Sequence, residues 1–155
     1  MTRGVARCSV GPVDRMTPAA RSALMRRIRA HGSAAERTLL SALRRIGILW
    51  GVANDAETPG TPDVCFRRER VAVFVDGCFW HSCPRHGSTP KTRVGYWREK
   101  LAYVQEHDAH VRAHLAVLGW TVVRLWEHEV LAAPEAAAQK VARSVLVVSS
   151  GARAA

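Results

Sequence analysis

The sequence predicts an α/β domain in which helices flank a mixed β-sheet, and three observations support this expectation. Apolar residues make up 48% of the 155 residues, which is enough for one packed domain. Two apolar runs, at 71–75 and 121–126, are typical of buried strands. Residues 96–118, between these runs, have the apolar spacing of a long helix. We therefore expect the two strands to be neighbours in one sheet.

Two helices are predicted before the sheet. The first begins at Thr17-Pro18, because Thr caps a helix well and Pro suits the first helical position. The second begins after Ser33, where Glu36 completes the pattern of a capping box. Its apolar stripe consists of Leu39, Leu40, Leu43 and Ile46, and the helix ends at Gly47.

The remaining elements follow from the spacing of apolar residues. Alternation over 48–52 indicates a strand, and 63–66 and 71–75 form a hairpin around the polar turn 67–70. Residues 77–95 have no periodicity and are expected to form a loop. The helix at 96–118 should bury Leu101, Val104, Val111, Leu115 and Leu118. It is followed by the strand at 121–126 and a helix from 134 to about 145.

The charge of the chain is strongly positive. The 23 Lys and Arg residues exceed the 13 Asp and Glu residues, which gives a net charge of +10 and an isoelectric point near 10.7. Twenty of the basic residues are Arg, which holds phosphate in a bidentate way and stacks on bases. Nucleic acid is therefore the first candidate for a partner.

The chain is expected to be a cytoplasmic protein with three segments. No apolar run approaches the roughly 20 residues that cross a bilayer, and the N-terminus lacks the apolar core of a signal peptide. The four Cys indicate reduced thiols or metal ligands more than disulfides. We predict a disordered basic segment at 1–15, one folded domain at 16–146 and a flexible tail at 147–155.

A metal site is indicated by the spacing Cys78-x4-Cys83-x2-His86. Two thiolates and an imidazole within nine residues suit zinc, and a loop of this length needs a clamp or a function. His128 is the best fourth ligand because it follows the strand at 121–126, next to the strand at 71–75. The alternative is two incidental Cys and a surface His.

A second, catalytic site is indicated around Asp63. Cleavage of a phosphodiester needs Mg²⁺, which prefers carboxylates, carbonyls and waters. Asp63 begins one strand, and Val75-Asp76 ends its neighbour and offers a main-chain carbonyl or a second acid. Pro-Asp alone is most often only the opening of a turn. His81 is a candidate general base.

Two further acids and three aromatic residues complete the candidate site. Asp108, on the long helix, is placed to orient His81, whereas Glu36 also fits a role as a helix cap. Phe79, Trp80 and Trp97 flank the metal residues, and aromatic side chains of this kind can insert between base pairs. The alternative for these three rings is a small apolar cluster over the zinc.

Taken together, these residues resemble a known family, the very short patch repair (Vsr) DNA mismatch endonucleases. The resemblance extends from about residue 16 to 145, and Gly-Cys-Phe-Trp-His at 77–81 is its most specific motif. The matching strings are Arg21-Ser-x-x-Met25-Arg26, Glu36, Pro62-Asp63, Gly77-Cys-Phe-Trp-His81, Tyr96-Trp97-x-x-Lys100, Asp108, Gly119-Trp120 and Trp126-Glu127.

The resemblance implies a restriction-endonuclease-like fold and a monomeric enzyme of DNA repair. Such an enzyme nicks one strand of double-stranded DNA, 5′ of the thymine of a T·G mismatch that arises when 5-methylcytosine is deaminated. This activity starts very short patch repair and implies a functional link to a cytosine-5 DNA methyltransferase.

The resemblance also implies a role for each matching residue. Asp63 and the main-chain carbonyl of Val75 would bind Mg²⁺, His81 would activate water, and Asp108 and Glu36 would support it. The structural zinc would be held by Cys78, Cys83, His86 and His128. The DNA-binding residues would be Met25 and Arg26 of the first helix, with Phe79, Trp80, Trp97 and Lys100.

The sequence departs from related patterns at several points. Nuclease sites of the wider superfamily usually end in acid-x-Lys, and Asp76-Gly-Cys78 has no such Lys. His86 and His128 stand where the family varies between Cys and His. Two other interpretations stay open: a restriction-type nuclease acting on undamaged DNA, and a zinc-bearing DNA-binding module without catalysis.

Overall fold

The computed structural model describes residues 17, 32–88, 90–91 and 93–151. The predicted segment 1–15 and the helix expected after Thr17, which carries Met25 and Arg26, lie outside the described residues. None of the described helices is long and apolar enough to cross a membrane.

Eight elements make up the described part of the chain, and they form a mixed sheet flanked by helices. The sheet has the order β1-β2-β3-β4, in which β1–β2 and β2–β3 are antiparallel and β3–β4 is parallel. The predicted α/β class and mixed sheet are thus confirmed. In chain order the elements are α1 (Ala34–Arg45), β1 (Val52–Ala53), β2 (Val64–Phe66), β3 (Val71–Asp76), α2 (Val94–Val117), β4 (Thr121–Trp126), α3 (Glu127–Ala132) and α4 (Pro134–Gly151).

Helix α1 begins with the predicted capping box. The Glu36 N–H donates to the Ser33 hydroxyl at 3.2 Å, and the Glu36 carboxylate accepts from the N–H groups of Ser33 at 3.1 Å and Gly32 at 2.6 Å. These bonds satisfy N–H groups that a helix start leaves without partners. They also explain how Glu36 tolerates burial at 7% exposure.

The core lies between one face of the sheet and helices α1, α3 and α4. Alternate strand residues point to this face, among them Val64, Val73 and Leu125, and they pack against apolar residues of the helices. Helix α2 lies on the opposite face, where its Asp108 contacts Arg124 of β4. A sheet covered on both faces explains why β3 is apolar along most of its length.

The first predicted strand is wrong over most of its length. Only Val52–Ala53 pairs, and Trp50 is 51% exposed, with its ring edge-on to Phe66. The physical reason is that β2 has three residues. Val52 already pairs with Cys65, so a longer ladder would reach the turn that follows Phe66.

The helix boundaries also differ from the expectation. Helix α2 begins two residues earlier, at Val94, and ends at Val117, which leaves Leu118 as an exposed C-cap rather than an inward residue. Helix α3 was not predicted, because six residues are too few for a clear periodicity. Helix α4 continues to Gly151, so the segment predicted as a tail from 147 begins inside a helix.

An ion pair between the buried Asp55 and the half-exposed Arg67 holds the loop that leads into β2. The Arg67 guanidinium donates to both carboxylate oxygens of Asp55, at 2.8 and 2.5 Å, and the Thr58 hydroxyl donates to Asp55 at 2.7 Å. The hydrogen bonds from Arg67 and then from Thr58 outweigh burial and hold the pKa of Asp55 well below its usual range. This clamp positions the chain just before Asp63.

Replacing Asp55 with Asn should therefore destabilise the protein in a pH-dependent way. We expect a loss of about 1–3 kcal/mol in the free energy of unfolding at pH 7, because a charged acceptor is removed from a buried site. A folded-state pKa below the unfolded value of about 3.9 means that this stability is present above that pH and is lost as the pH falls further. Urea unfolding of both proteins should show a larger difference at pH 7 than at pH 3; equal differences would contradict the clamp.

Candidate active site and metal centre

An open cleft of about 850 Å³ lies at the carboxyl end of β3, between the sheet and α2. It brings together side chains from α1, β3, α2, β4 and the loop after β3. Nine of the residues predicted for catalysis or for DNA binding line it: Glu36, Asp63, Val75, Phe79, Trp80, His81, Trp97, Lys100 and Asp108. The predicted Met25 and Arg26 lie outside the described residues.

Asp63 is held directly against β3. Its Oδ2 accepts a hydrogen bond from the Val75 N–H at 2.6 Å. The N–H and C=O of one residue in an extended strand point to the same side, so the Val75 carbonyl is also directed toward Asp63. The carboxylate and the main-chain carbonyl expected from the sequence thus lie on the same side of β3, and their binding of Mg²⁺ stays a prediction.

His81 and Asp108 form a close pair, although they lie on the loop and on α2. The distance from His81 Nδ1 to Asp108 Oδ2 is 2.6 Å, and both side chains are about a quarter exposed. A carboxylate at Nδ1 favours the tautomer with the proton on that atom, which leaves Nε2 as the ring nitrogen that can accept a proton. The predicted orienting role of Asp108 thus has the contact that it requires.

Arg124 and Asp76 belong to the same cluster; the sequence offered Asp76 only as the alternative, second acid of the metal site and gave Arg124 no role. Arg124 donates to both oxygens of Asp76, at 2.7 and 2.6 Å, and lies 2.9 Å from Asp108 Oδ2. Burial opposes the charge of Arg124, but Asp76 and then Asp108 raise its pKa. The available signal was an Arg at the centre of the otherwise apolar run 121–126.

The two glutamates of the cleft accept hydrogen bonds from main-chain N–H groups. Both carboxylate oxygens of Glu36 are engaged by the start of α1, so the structure gives this residue the cap function; a catalytic contribution stays a prediction. Glu127, which the sequence did not single out as catalytic or metal-binding, accepts a hydrogen bond from the Cys78 N–H at 3.2 Å. That bond ties the loop after β3 to the start of α3, directly after β4.

The predicted aromatic residues form one cluster at the cleft. The ring centroid of Phe79 lies 5.2 Å from that of Trp80 and 5.3 Å from that of Trp97. The centroids of Trp80 and Trp97 are 6.0 Å apart. Trp97 is buried at 8% exposure, whereas Phe79 and Trp80 are partly exposed. Trp97 therefore supports the other two rings, which are the more exposed part of the cluster.

Four ligand groups converge beside the aromatic cluster, as the sequence predicted. One donor atom from each of Cys78, Cys83, His86 and His128 lies within 4.8 Å of the other three. Cys78 Sγ is 3.2 Å and Cys83 Sγ 3.7 Å from His128 Nδ1, and Cys83 Sγ is 4.0 Å from His86 Nδ1. Two sulfurs and two imidazole nitrogens at this spacing suit a tetrahedral divalent metal.

The two thiols of this cluster differ in acidity. Burial raises the pKa of Cys78. Burial acts in the same direction on Cys83, but the N–H groups of Arg85 and His86 outweigh it and lower the pKa of that thiol. Metal binding requires thiolates, and the N–H groups near Cys83 stabilise that form.

The comparison with known proteins agrees with this geometry. Residues 13–85 match the family described as "DNA mismatch endonuclease Vsr". The chain is 37% identical over 110 residues to DNA mismatch endonuclease Vsr of Escherichia coli strain K12, which covers 70% of each chain. It is also 41% identical over 119 residues to the type II nicking enzyme V.NaeI of Lentzea aerocolonigenes, which covers 73% of this chain and 70% of that one.

A further relative extends the coverage. The type II nicking enzyme V.XorIIP of Xanthomonas oryzae pv. oryzae is 37% identical over 118 residues, which is 75% of this chain and 85% of the relative. The chain belongs to the Vsr endonuclease family. The resemblance drawn from the sequence motifs is thereby confirmed.

The Vsr family match and the structure contribute different parts of the site. The matched range 13–85 contains Asp63, His81 and two of the four metal-ligand candidates. Asp108, Arg124 and His128 lie beyond it, and the fold brings them to the same cleft and cluster. The candidate site thus depends on residues from both halves of the chain.

Proposed function

We propose that this Vsr-family DNA endonuclease nicks one strand 5′ of the thymine of a T·G mismatch formed by deamination of 5-methylcytosine, and so initiates very short patch repair. The observation that carries this proposal is the position of the aromatic cluster. Phe79 and Trp80 share one cleft with Asp63 and the His81–Asp108 pair. Rings that can enter a base stack are thus adjacent to groups that can hydrolyse a phosphodiester.

Asp63 and the Val75 carbonyl are the residues that would hold a catalytic Mg²⁺. They fit it because Mg²⁺ takes oxygen ligands, and Asp63 is fixed against Val75 by the 2.6 Å hydrogen bond. A bound Mg²⁺ would neutralise the charge that develops on the scissile phosphate. Asp76 is a less suitable ligand, because both of its oxygens are engaged by Arg124.

His81 is proposed to be the general base. Its Nδ1 is held by Asp108, so Nε2 is available to take the proton of the attacking water. Asp108 then stabilises the imidazolium that results, in the manner of the orienting acid of a hydrolase triad. Glu36 contributes indirectly, by fixing the start of α1 at the cleft wall.

Selectivity for the mismatch is proposed to come from the cost of opening the DNA. Phe79 and Trp80, supported by Trp97, would enter the stack next to the mismatch, where unstacking costs least. Lys100 follows one turn of α2 after Trp97, at the cleft, and would contact the same region of the DNA. Met25 and Arg26, which lie outside the described residues, are also proposed to contact the DNA.

The metal held by Cys78, Cys83, His86 and His128 is proposed to be zinc, in a structural role. Four protein ligands leave no open position for a substrate or a water. Phe79, Trp80 and His81 lie between Cys78 and Cys83 in the chain. The metal site therefore fixes the two aromatic rings and the proposed general base together. The enzyme is proposed to act as a cytoplasmic monomer, functionally linked to a cytosine-5 DNA methyltransferase.

The central test is a nicking assay with duplex libraries that have randomised flanks around a T·G, C·G or T·A pair. We expect Mg²⁺-dependent nicks in one strand, 5′ of the mismatched thymine, at least about tenfold faster than in the paired libraries, because a mismatched step is easier to open. Sequencing of the cut ends gives both the position and the preferred flanks. Equal cutting of the three libraries would instead favour a restriction-type nuclease.

Replacing Asp63 with Ala should abolish nicking while DNA binding survives. The expected loss is at least about 1,000-fold, because the change removes the carboxylate proposed to hold Mg²⁺. Glu57→Ala is a matched control, since it removes an exposed carboxylate whose partner is Arg67. Gel-shift and nicking assays on one duplex separate binding from cleavage. Unchanged activity in Asp63→Ala would favour a DNA-binding module without catalysis.

Metal analysis of the purified protein should find about one zinc per chain, as expected for one four-ligand site. Cys83→Ser should lose this zinc and lower the melting temperature, because the loop after β3 loses its clamp. Cys65→Ala is the control, since Cys65 is buried in β2 and is not one of the four ligands. Absence of zinc from the wild type, or its retention in Cys83→Ser, would refute this assignment.

A further inference from the structure

Four charged or ionisable groups beside the cleft, Asp76, His81, Asp108 and Arg124, are linked by short contacts. Asp108 Oδ2 lies 2.6 Å from His81 Nδ1 and 2.9 Å from an amino nitrogen of Arg124. That same Arg124 nitrogen donates to Asp76 at 2.6 Å. The guanidinium therefore bridges two carboxylates, and one of these is the partner of the proposed general base.

Arg124 is held rigidly by its place in the sheet. It pairs directly with Phe74 across the parallel β3–β4 ladder, and its guanidinium lies over the Phe74 ring at 5.4 Å. Asp76, two residues further along β3, is on the same face and receives the bidentate contact. Stacking on Phe74 and the paired hydrogen bonds to Asp76 thus fix the guanidinium. Lys has no planar guanidinium and could reproduce neither contact fully.

The charges around His81 show what this placement achieves. Asp76 Oδ1 lies 3.9 Å from His81 Nδ1, so two carboxylates face the same ring nitrogen. Without a cation between them, the carboxylates repel each other and compete for the imidazole. With Arg124 in place, both oxygens of Asp76 are occupied by the guanidinium, and Asp108 is left as the close partner of His81.

We propose that Arg124 is a positioning residue for catalysis. By occupying Asp76 it keeps His81 hydrogen-bonded to Asp108, and so fixes the orientation of the imidazole. This inference rests on the proposed nuclease function. Arg124 acts on His81 through Asp108 and Asp76 and from its own position 3.4 Å from His81 Nδ1, and it is assigned no contact with the reacting phosphate. A purely structural ion pair would have the same geometry, so the test must measure more than folding.

The test compares Arg124→Met, Arg124→Lys and the double variant Asp76→Asn/Arg124→Met with the wild type. Single-turnover nicking of a T·G duplex should fall about 10- to 100-fold in Arg124→Met, the usual effect of losing a group that orients a site ligand. The dissociation constant for the duplex should change less than about twofold, because Arg124 is not assigned to DNA binding. Arg124→Lys should be intermediate.

The double variant decides between positioning and mere stability. Removing the charge of Asp76 removes the competitor, so Asp76→Asn/Arg124→Met should nick faster than Arg124→Met alone. A structural ion pair predicts that the double variant is no faster than the single one, and that result would overturn the proposal. So would wild-type nicking by Arg124→Met. If Arg124→Met fails to fold, Arg124→Lys carries the decision: a reduced rate is expected, and a wild-type rate in that variant would refute a positioning role.

A spectroscopic readout keeps this test separate from the nuclease assay. The proton between His81 Nδ1 and Asp108 should give a far-downfield resonance, assigned by its loss in His81→Gln. We expect that resonance to be lost in Arg124→Met and to return in the double variant, whereas Arg68→Met, a change in the exposed turn 67–70, should keep it. An unchanged resonance in Arg124→Met would overturn the inference. Absence of nicking in the wild type would refute the proposed function instead.

Discussion

The parallel pairing of β3 with β4 brings together parts of the chain that are far apart in sequence. All six residues of β3 pair with β4, from Val71 with Thr121 to Asp76 with Trp126. As a result, the loop that leaves β3 lies beside the residues that follow β4. Cys78 can then approach His128, 50 residues later, and Glu127 can accept from the Cys78 N–H.

The same pairing explains where α2 lies. A parallel connection needs a long crossover, and α2 supplies it by running across one face of the sheet. Asp108, near the middle of α2, then contacts Arg124 of β4 and His81 of the loop after β3. The acid, the base and the bridging cation therefore come from three elements that meet only because β3 and β4 are adjacent.

The local charge of the cleft is opposite to that of the chain. The protein has a net charge of +10, yet five acidic residues line the cleft: Glu36, Asp63, Asp76, Asp108 and Glu127. Three of them are engaged by neighbouring main-chain N–H groups and another by Arg124, and Asp108 is shared between His81 and Arg124. A phosphate approaching such a surface requires a cation to offset the repulsion, which accords with the Mg²⁺ proposed at Asp63.

The sequence alone determined the features that depend on local spacing. Each of these features depends on residues that are only a few positions apart in the chain. They are the capping box at Ser33, the hairpin around 67–70, the apolar strands and the Cys-x4-Cys-x2-His ligands. Tertiary structure decided the rest. It reduced the first strand to Val52–Ala53, because β2 was too short to pair more of it, and it placed Arg124 between Asp76 and Asp108. No local pattern contains that bridge, because it exists only once the β3–β4 register and the packing of α2 bring the three side chains within hydrogen-bonding distance.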